Sequence, residues 1–136
     1  MFAEFNTDNW PILCVDLIDT PNEYTFNLYL ETLDYYLNNP QQFKFVINFL
    51  NLKSLPVKYV HRMVKFNKEN KIRMKNKIKE TMIICPKKYV KLINLGLGLI
   101  KPSNPVRISD SVTSDTYNSF YQDEIEPKNS VIINYE

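Results

Sequence analysis

Glycine is almost missing from this 136-residue chain: the two present, Gly96 and Gly98, stand in one stretch, Gly96-Leu97-Gly98. A phosphate-binding loop needs glycines between a strand and a helix start, where backbone N–H groups can face the anion. These two fall late in an apolar helical run instead. They support close helix packing or a weakened last turn, and they exclude a glycine-rich nucleotide loop. Histidine is scarcer still. His61 is the single one, beside the basic residues of a helical stretch, and no nearby motif supplies a nucleophile and an orienting acid for a triad. Two distant cysteines and one histidine give no metal-ligand pair, and the carboxylates show no catalytic spacing. The sequence therefore predicts no enzyme, no metal site and no cofactor. Cys14 and Cys85 lie in apolar runs and read as reduced core thiols, with a disulfide as the other option. No run reaches the ~18 apolar residues that a membrane span takes. The opening residues MFAEFNTDNW hold neither a basic segment nor a long apolar stretch, so the expectation is a cytoplasmic protein.

Positive charge is absent from the first forty-three residues, which carry seven acids: Glu4, Asp8, Asp16, Asp19, Glu23, Glu31 and Asp34. From Lys44 to Arg107 the balance reverses, with sixteen Lys/Arg against Glu69 and Glu80. Residues 108–136 are acidic again, six carboxylates against Lys128. The formal net charge of +2 conceals this separation. A chain so divided can present a strongly positive surface to anionic partners, or it can neutralise its basic segment internally against its acidic ones.

What is plentiful is apolar material, 44% of residues, with 13% aromatic. One domain of this length buries roughly two-thirds of its unfolded surface, enough for a core without staples. Ile12-Leu-Cys-Val-Asp-Leu17 reads as a strand, preceded by an alternating Phe2-Ala-Glu-Phe5 that would form a hairpin through Asn9-Trp10-Pro11. Thr20-Pro21-Asn22-Glu23 predicts a helix start with Thr20 as cap, Phe26, Leu30, Leu33 and Leu37 its apolar face, and Asn39-Pro40 its stop. Phe43–Phe49 is a second strand. Ser54 and Pro56 open a second helix with Val60, Met63, Val64 and Met74 on one side and Lys58, Arg62, Lys65 and Arg73 on the other. Thr81–Cys85 is a third strand, Tyr89–Ile100 a third helix, and Val106–Ile108 a last short strand. A weak helix from Ser114 to Tyr121 and a loose acidic tail would complete the chain. The alternation predicts an α/β domain over residues 1–110, with a mostly parallel sheet of four to five strands, an N-terminal hairpin and right-handed crossover helices. Cys14, Val46, Ile83 and Ile84 should be among its most buried residues.

Pro11-Ile-Leu-Cys-Val-Asp-Leu17, Phe45-Val-Ile-Asn-Phe-Leu-Asn-Leu52 and Leu55-Pro56 before a Lys/Arg-rich helix resemble the STAS-like domain family, the fold of anti-sigma-factor antagonists. Thr81-Met-Ile-Ile-Cys-Pro86 and Pro105-Val-Arg-Ile108 resemble its next two strands. The likeness covers about the first 110 residues and rests on element order and apolar pattern. The CRAL-TRIO lipid-binding fold is a more distant relative of similar layout. Bacterial regulatory members of the STAS-like family carry Asp-Ser-Ser-Gly at the second helix, where a serine is phosphorylated. The corresponding stretch here, Pro56-Val57-Lys58-Tyr59, has no such serine. Ser54 is the nearest candidate phosphosite, and its simpler role is a helix cap.

Two surfaces carry the functional expectation. Nine Lys/Arg lie between Lys58 and Lys79 against one Glu. Lys58, Arg62, Lys65 and Arg73 are the candidate anion-facing residues there, suited to an acidic protein segment or an anionic surface. Nucleic acid fits poorly, because only Tyr59 and Phe66 interleave the stripe. The third helix is apolar nearly all round. Leu92, Leu95 and Leu99 form its candidate contact face, either buried under the tail or offered to a partner or lipid. The sequence thus predicts a non-enzymatic binding module for protein–protein interaction. Its alternative is a CRAL-TRIO-like carrier or sensor of a lipid or small apolar ligand, which an internal cavity of several hundred cubic ångströms would support.

Overall fold

The computed structural model describes residues 1–110 and the backbone of residues 130–133. The elements are β1 (Ala3–Asn6), β2 (Ile12–Leu17), α1 (Glu23–Leu37), β3 (Phe43–Asn48), α2 (Val57–Glu69), α3 (Lys71–Lys77), β4 (Ile78–Ile84), α4 (Lys87–Ile100), β5 (Val106–Ser109) and β6 (Ser130–Ile133). They build one six-stranded sheet in the order β1-β2-β3-β4-β5-β6. The hairpin forms as expected, with a cis Trp10–Pro11 bond in its turn, and β1 pairs antiparallel with β2. β2, β3, β4 and β5 are parallel neighbours. β6 pairs antiparallel with β5, Ser130 opposite Ser109. The sheet is therefore mixed, with antiparallel strands at both edges, and has more strands than the four to five expected. Residues 130–133 were expected in a loose tail and instead extend the sheet. The weak helix expected at 114–121 lies outside the described residues.

Each parallel step moves to the next strand in the same direction. Crossovers of one hand then place their helices on one face of the sheet. Accordingly Phe26, Leu33 and Leu37 of α1, Tyr59 of α2 and Leu97 of α4 join Leu13, Val15, Phe45, Ile47, Ile83 and Val106 in one buried cluster. Met74 of α3 packs against it. Because strand order never reverses, the sheet lacks the switch-point crevice where doubly wound folds bind ligands. Any site must come from the spaces between helices. On the opposite face Ile12, Val46, Met82 and Ile84 form a smaller buried cluster, against which Cys14 is only half-buried. Cys85 belongs to the helix-covered face, so alternation of the strands turns the two thiols apart, and both are free.

Several boundaries differ from the expectation, each for a local reason. Asn22, rather than Thr20, caps α1: its side chain accepts from the Thr25 N–H at 2.8 Å, and Thr25 Oγ1 accepts from the Asn22 N–H at 2.9 Å. The expected long second helix breaks at Asn70, whose φ of −111° and ψ of 18° leave the helical well. The Asn70 side-chain amide donates to the Phe66 carbonyl at 2.8 Å, a side-chain bond that competes with the helical ladder. β4 begins at Ile78, three residues ahead of Thr81, once α3 has ended.

Candidate functional site

The basic stripe is where sequence and structure part most clearly. Glu23, Asn27, Asp34 and Asn38 recur along one side of α1, and they meet the cations of α2 and α3. Glu23 accepts Arg62 at 3.1 Å and Lys58 at 3.4 Å. Arg62 also donates to Asn27, and its guanidinium lies 4.8 Å from the centroid of the Phe26 ring. Arg73 pairs with Asp34 and donates to Asn38 at 2.8 Å. Arg62 and Arg73 keep only 34% and 29% of their side chains exposed, contrary to the expectation of four outward cations on a common face. Lys65 is exposed and, among the described residues, pairs only with Glu69, at 3.9 Å within the same helix. The internal option thus accounts for Lys58, Arg62 and Arg73: the acidic first helix neutralises them. Such half-exposed pairs contribute about 0.2–1 kcal/mol each, so their work is to fix helix orientation as much as stability.

Ser54 is exposed on the segment before α2, its hydroxyl 2.7 Å from that of Thr20. It does not cap α2, which starts behind Pro56 with no side-chain cap. His61 is exposed.

α4 gives the site. Its inner side carries Leu92, Ile93, Gly96, Leu97 and Ile100, facing Val60, Met63 and Val64 of α2 across a groove whose floor is Phe45, Ile47 and Ile83 of the sheet. The groove holds a cavity of about 190 Å³. At one end lie Asn67 of α2, Lys71 and Lys75 of α3, and Ser103 and Asn104 beyond α4. Among its described lining residues there is no carboxylate. Asn104 donates to the carbonyls of Lys75 and Ile78, tying the loop beyond α4 to the end of α3 and the start of β4. Leu92 therefore faces inward, while Leu95 and Leu99 lie on the outer side, 64% and 48% exposed. The three leucines expected on one face divide between the groove and its outer shoulder. The sequence links a cavity only to the carrier alternative and does not predict the groove as a unit.

A second group also escaped the sequence reading. Glu80, Arg107 and Lys44 share the sheet face opposite the helices, with Arg107 Nε 2.5 Å and Lys44 Nζ 3.8 Å from the Glu80 carboxylate. Glu80 and Arg107 are both buried. The signal available was alternation: Lys44 with Val46, and Glu80 with Met82 and Ile84, are same-face neighbours at spacing two. Burial pushes the Cys14 thiol up to about 11, helped by Asp16, and the Cys85 thiol up to about 11, helped by Asp110. Burial also raises the Tyr29 phenol. Neither thiol is poised as a nucleophile at neutral pH. Among the described residues no three His, Cys, Asp or Glu side chains converge as metal ligands, and no helix is long and apolar enough to cross a membrane.

Neither a protein-family model nor a curated protein matches the sequence. Among solved structures, the chain is similar to an uncharacterised protein of the DUF3478 family, with a SpoIIAA-like fold, from Shewanella loihica PV-4. The two share 9% identity at a TM-score of 0.59, over 88% of this chain and 90% of that one. The fold is thus the SpoIIAA-like, STAS-like fold that the element order predicted.

Proposed function

We propose that this STAS-like domain is a non-enzymatic binding module whose receptor element is the groove between α2 and α4, and whose partner is another protein. The observation that carries this reading is the apolar groove beside an exposed apolar shoulder, Leu95 and Leu99, on the same helix. A space of this size takes one or two apolar side chains of a docking surface, and the shoulder extends the contact outward. Each side chain seated there contributes roughly 1.5–3 kcal/mol, a scale suited to a reversible complex. The basic second helix contributes less than expected, since Lys58, Arg62 and Arg73 already pair with α1.

Carriage of a lipid or small apolar ligand is the second reading, favoured by the apolar lining with two lysines at one end. It ranks lower because about 190 Å³ falls short of the ~300–1,000 Å³ of typical small-molecule pockets. Affinity capture from the native host tests the choice. A protein retained by the wild type and lost by Leu95→Glu with Leu99→Glu supports the interaction module. Co-purification of a lipid, with no protein dependent on the shoulder, overturns it.

A further inference from the structure

The chemistry of the groove specifies its occupant more narrowly than apolar. Two features are unusual together. The chain's only glycines sit in α4, and neither is there for backbone reasons, since neither has a positive φ. Nor is either forced by crowding. A Cβ on Gly96 would stand 3.8 Å from Val64 Cγ2, an ordinary contact, and one on Gly98 would meet nothing within 4 Å. Glycine in a helix interior costs stability relative to alanine. At Gly96, which lines the groove, the missing side chain leaves backbone open to whatever enters between α4 and Val64. The second feature is charge. Lys71 and Lys75 line one end of the same groove, neither forms an ion pair with a described residue, and the described lining offers no carboxylate to answer them. This separates them from Lys58, Arg62 and Arg73, whose carboxylates come from α1.

We infer that the groove receives an acidic protein segment, in which a bulky apolar side chain seats against Gly96 and a neighbouring carboxylate meets Lys71 and Lys75. The inference rests on the groove being the receptor element, and it adds the chemistry of the partner. Charge complementarity selects the partner, because an apolar segment flanked by Lys or Arg would bring like charge against both lysines. Apolar contact with the groove supplies the affinity, and the lysines supply the discrimination.

The test is selection from an unbiased displayed library of random peptides against the intact protein. Enriched peptides should share a Leu, Phe, Ile or Trp with Asp or Glu close by. Chemically synthesised members should bind the wild type and lose at least about tenfold in affinity on Lys71→Glu with Lys75→Glu, two exposed-side substitutions that leave the core untouched. Gly96→Phe, which fills the groove from its wall, should abolish binding while circular dichroism stays native. Affinity should fall severalfold between ~50 and ~500 mM salt, as the Debye length contracts from more than 10 Å to a few ångströms. Enriched peptides that need Gly96 but lack an acidic bias would overturn the charge assignment and leave the groove reading standing. Peptides indifferent to Gly96→Phe, or no enrichment at all, would overturn both. Decanoate displacing every selected peptide at comparable affinity would move the site to the carrier class. A synthetic peptide of residues 111–126 doing so would make the acidic occupant the chain's own, and the partner assignment would fail.

Discussion

Alanine at the two glycine positions should make the protein more stable, a prediction that runs against the usual sign of core-adjacent substitutions. Gly96 and Gly98 lie within α4 at helical dihedrals, so alanine adopts the same conformation and removes freedom from the unfolded chain. The gain in a helix interior is about 0.5–1 kcal/mol per site. Gly98 should fall at the low end, because it sits in the last turn, where Lys101 already ends the helix in the left-handed region. Gly96 should fall at the high end, because its new methyl group also gains contact with Val64 at 3.8 Å. The two side chains would point to different sides of α4, so the effects should add. The double variant should gain about 1–2 kcal/mol, equivalent to a rise of roughly 3–8 °C in Tm. Far-UV circular dichroism melts and urea midpoints at unchanged m-value measure it. A fall in Tm for either single variant would refute the argument, since it would mean that the position needs glycine for its backbone or for a contact that the geometry does not contain. Binding should separate the sites: Gly98→Ala leaves it intact, and Gly96→Ala narrows the groove.

Further predictions concern the parts that hold the groove in place. Glu80→Gln removes the carboxylate that Lys44 and Arg107 share on a buried face, and should cost at least about 1 kcal/mol by urea denaturation; a smaller loss would show that the group is not desolvated. Arg73→Ala should cost no more than about 1 kcal/mol, with the loss shrinking in high salt, because its pair with Asp34 is half-exposed. The thiols Cys14 and Cys85 should resist Ellman's reagent in the native state at pH 8 and react fully in guanidinium, with rapid native labelling as the contrary result. Their folded values near 11 lie above the ordinary 9.0, so the unfolded thiols ionise first. Stability from this source is complete below about pH 9 and declines as pH rises toward 11; a stability that increases over that range would contradict the assigned burial.

The fold was legible because its signals are local and periodic. Apolar runs at Ile12–Leu17, Phe43–Phe49 and Thr81–Cys85 alternate with helical spacing at Phe26, Leu33 and Leu37, and that alternation is enough to order a parallel sheet. Less legible was which residue meets which: the sequence left the basic stripe open between an outside partner and the acidic first helix. Lys58, Arg62 and Arg73 carry the same spacing whether their partner is solvent, a foreign protein or α1. Only the packing of α1 against α2 and α3 decides: Glu23 takes up Lys58 and Arg62, and Asp34 takes up Arg73. Asn70 ended a helix through a side-chain bond to Phe66 that propensity alone cannot foresee. The edge strand at 130–133 was missed because a four-residue strand beside an acidic stretch gives no period to read. The groove is a property of three helices at once. Its trace in the sequence is the pair of glycines, which by spacing alone suggest close helix packing or a weakened last turn and not the wall of a groove.

Everything functional here turns on whether that space is occupied by a partner. The direct measurement is quantitative affinity capture from the native host with wild type, Gly96→Phe and Lys58→Glu compared side by side, each verified as folded. The groove account predicts a protein captured by the wild type and by Lys58→Glu, and depleted at least about tenfold, or 1.4 kcal/mol, by Gly96→Phe. Equal capture by wild type and Gly96→Phe, with loss on Lys58→Glu, would contradict it and return the binding surface to the basic face of α2.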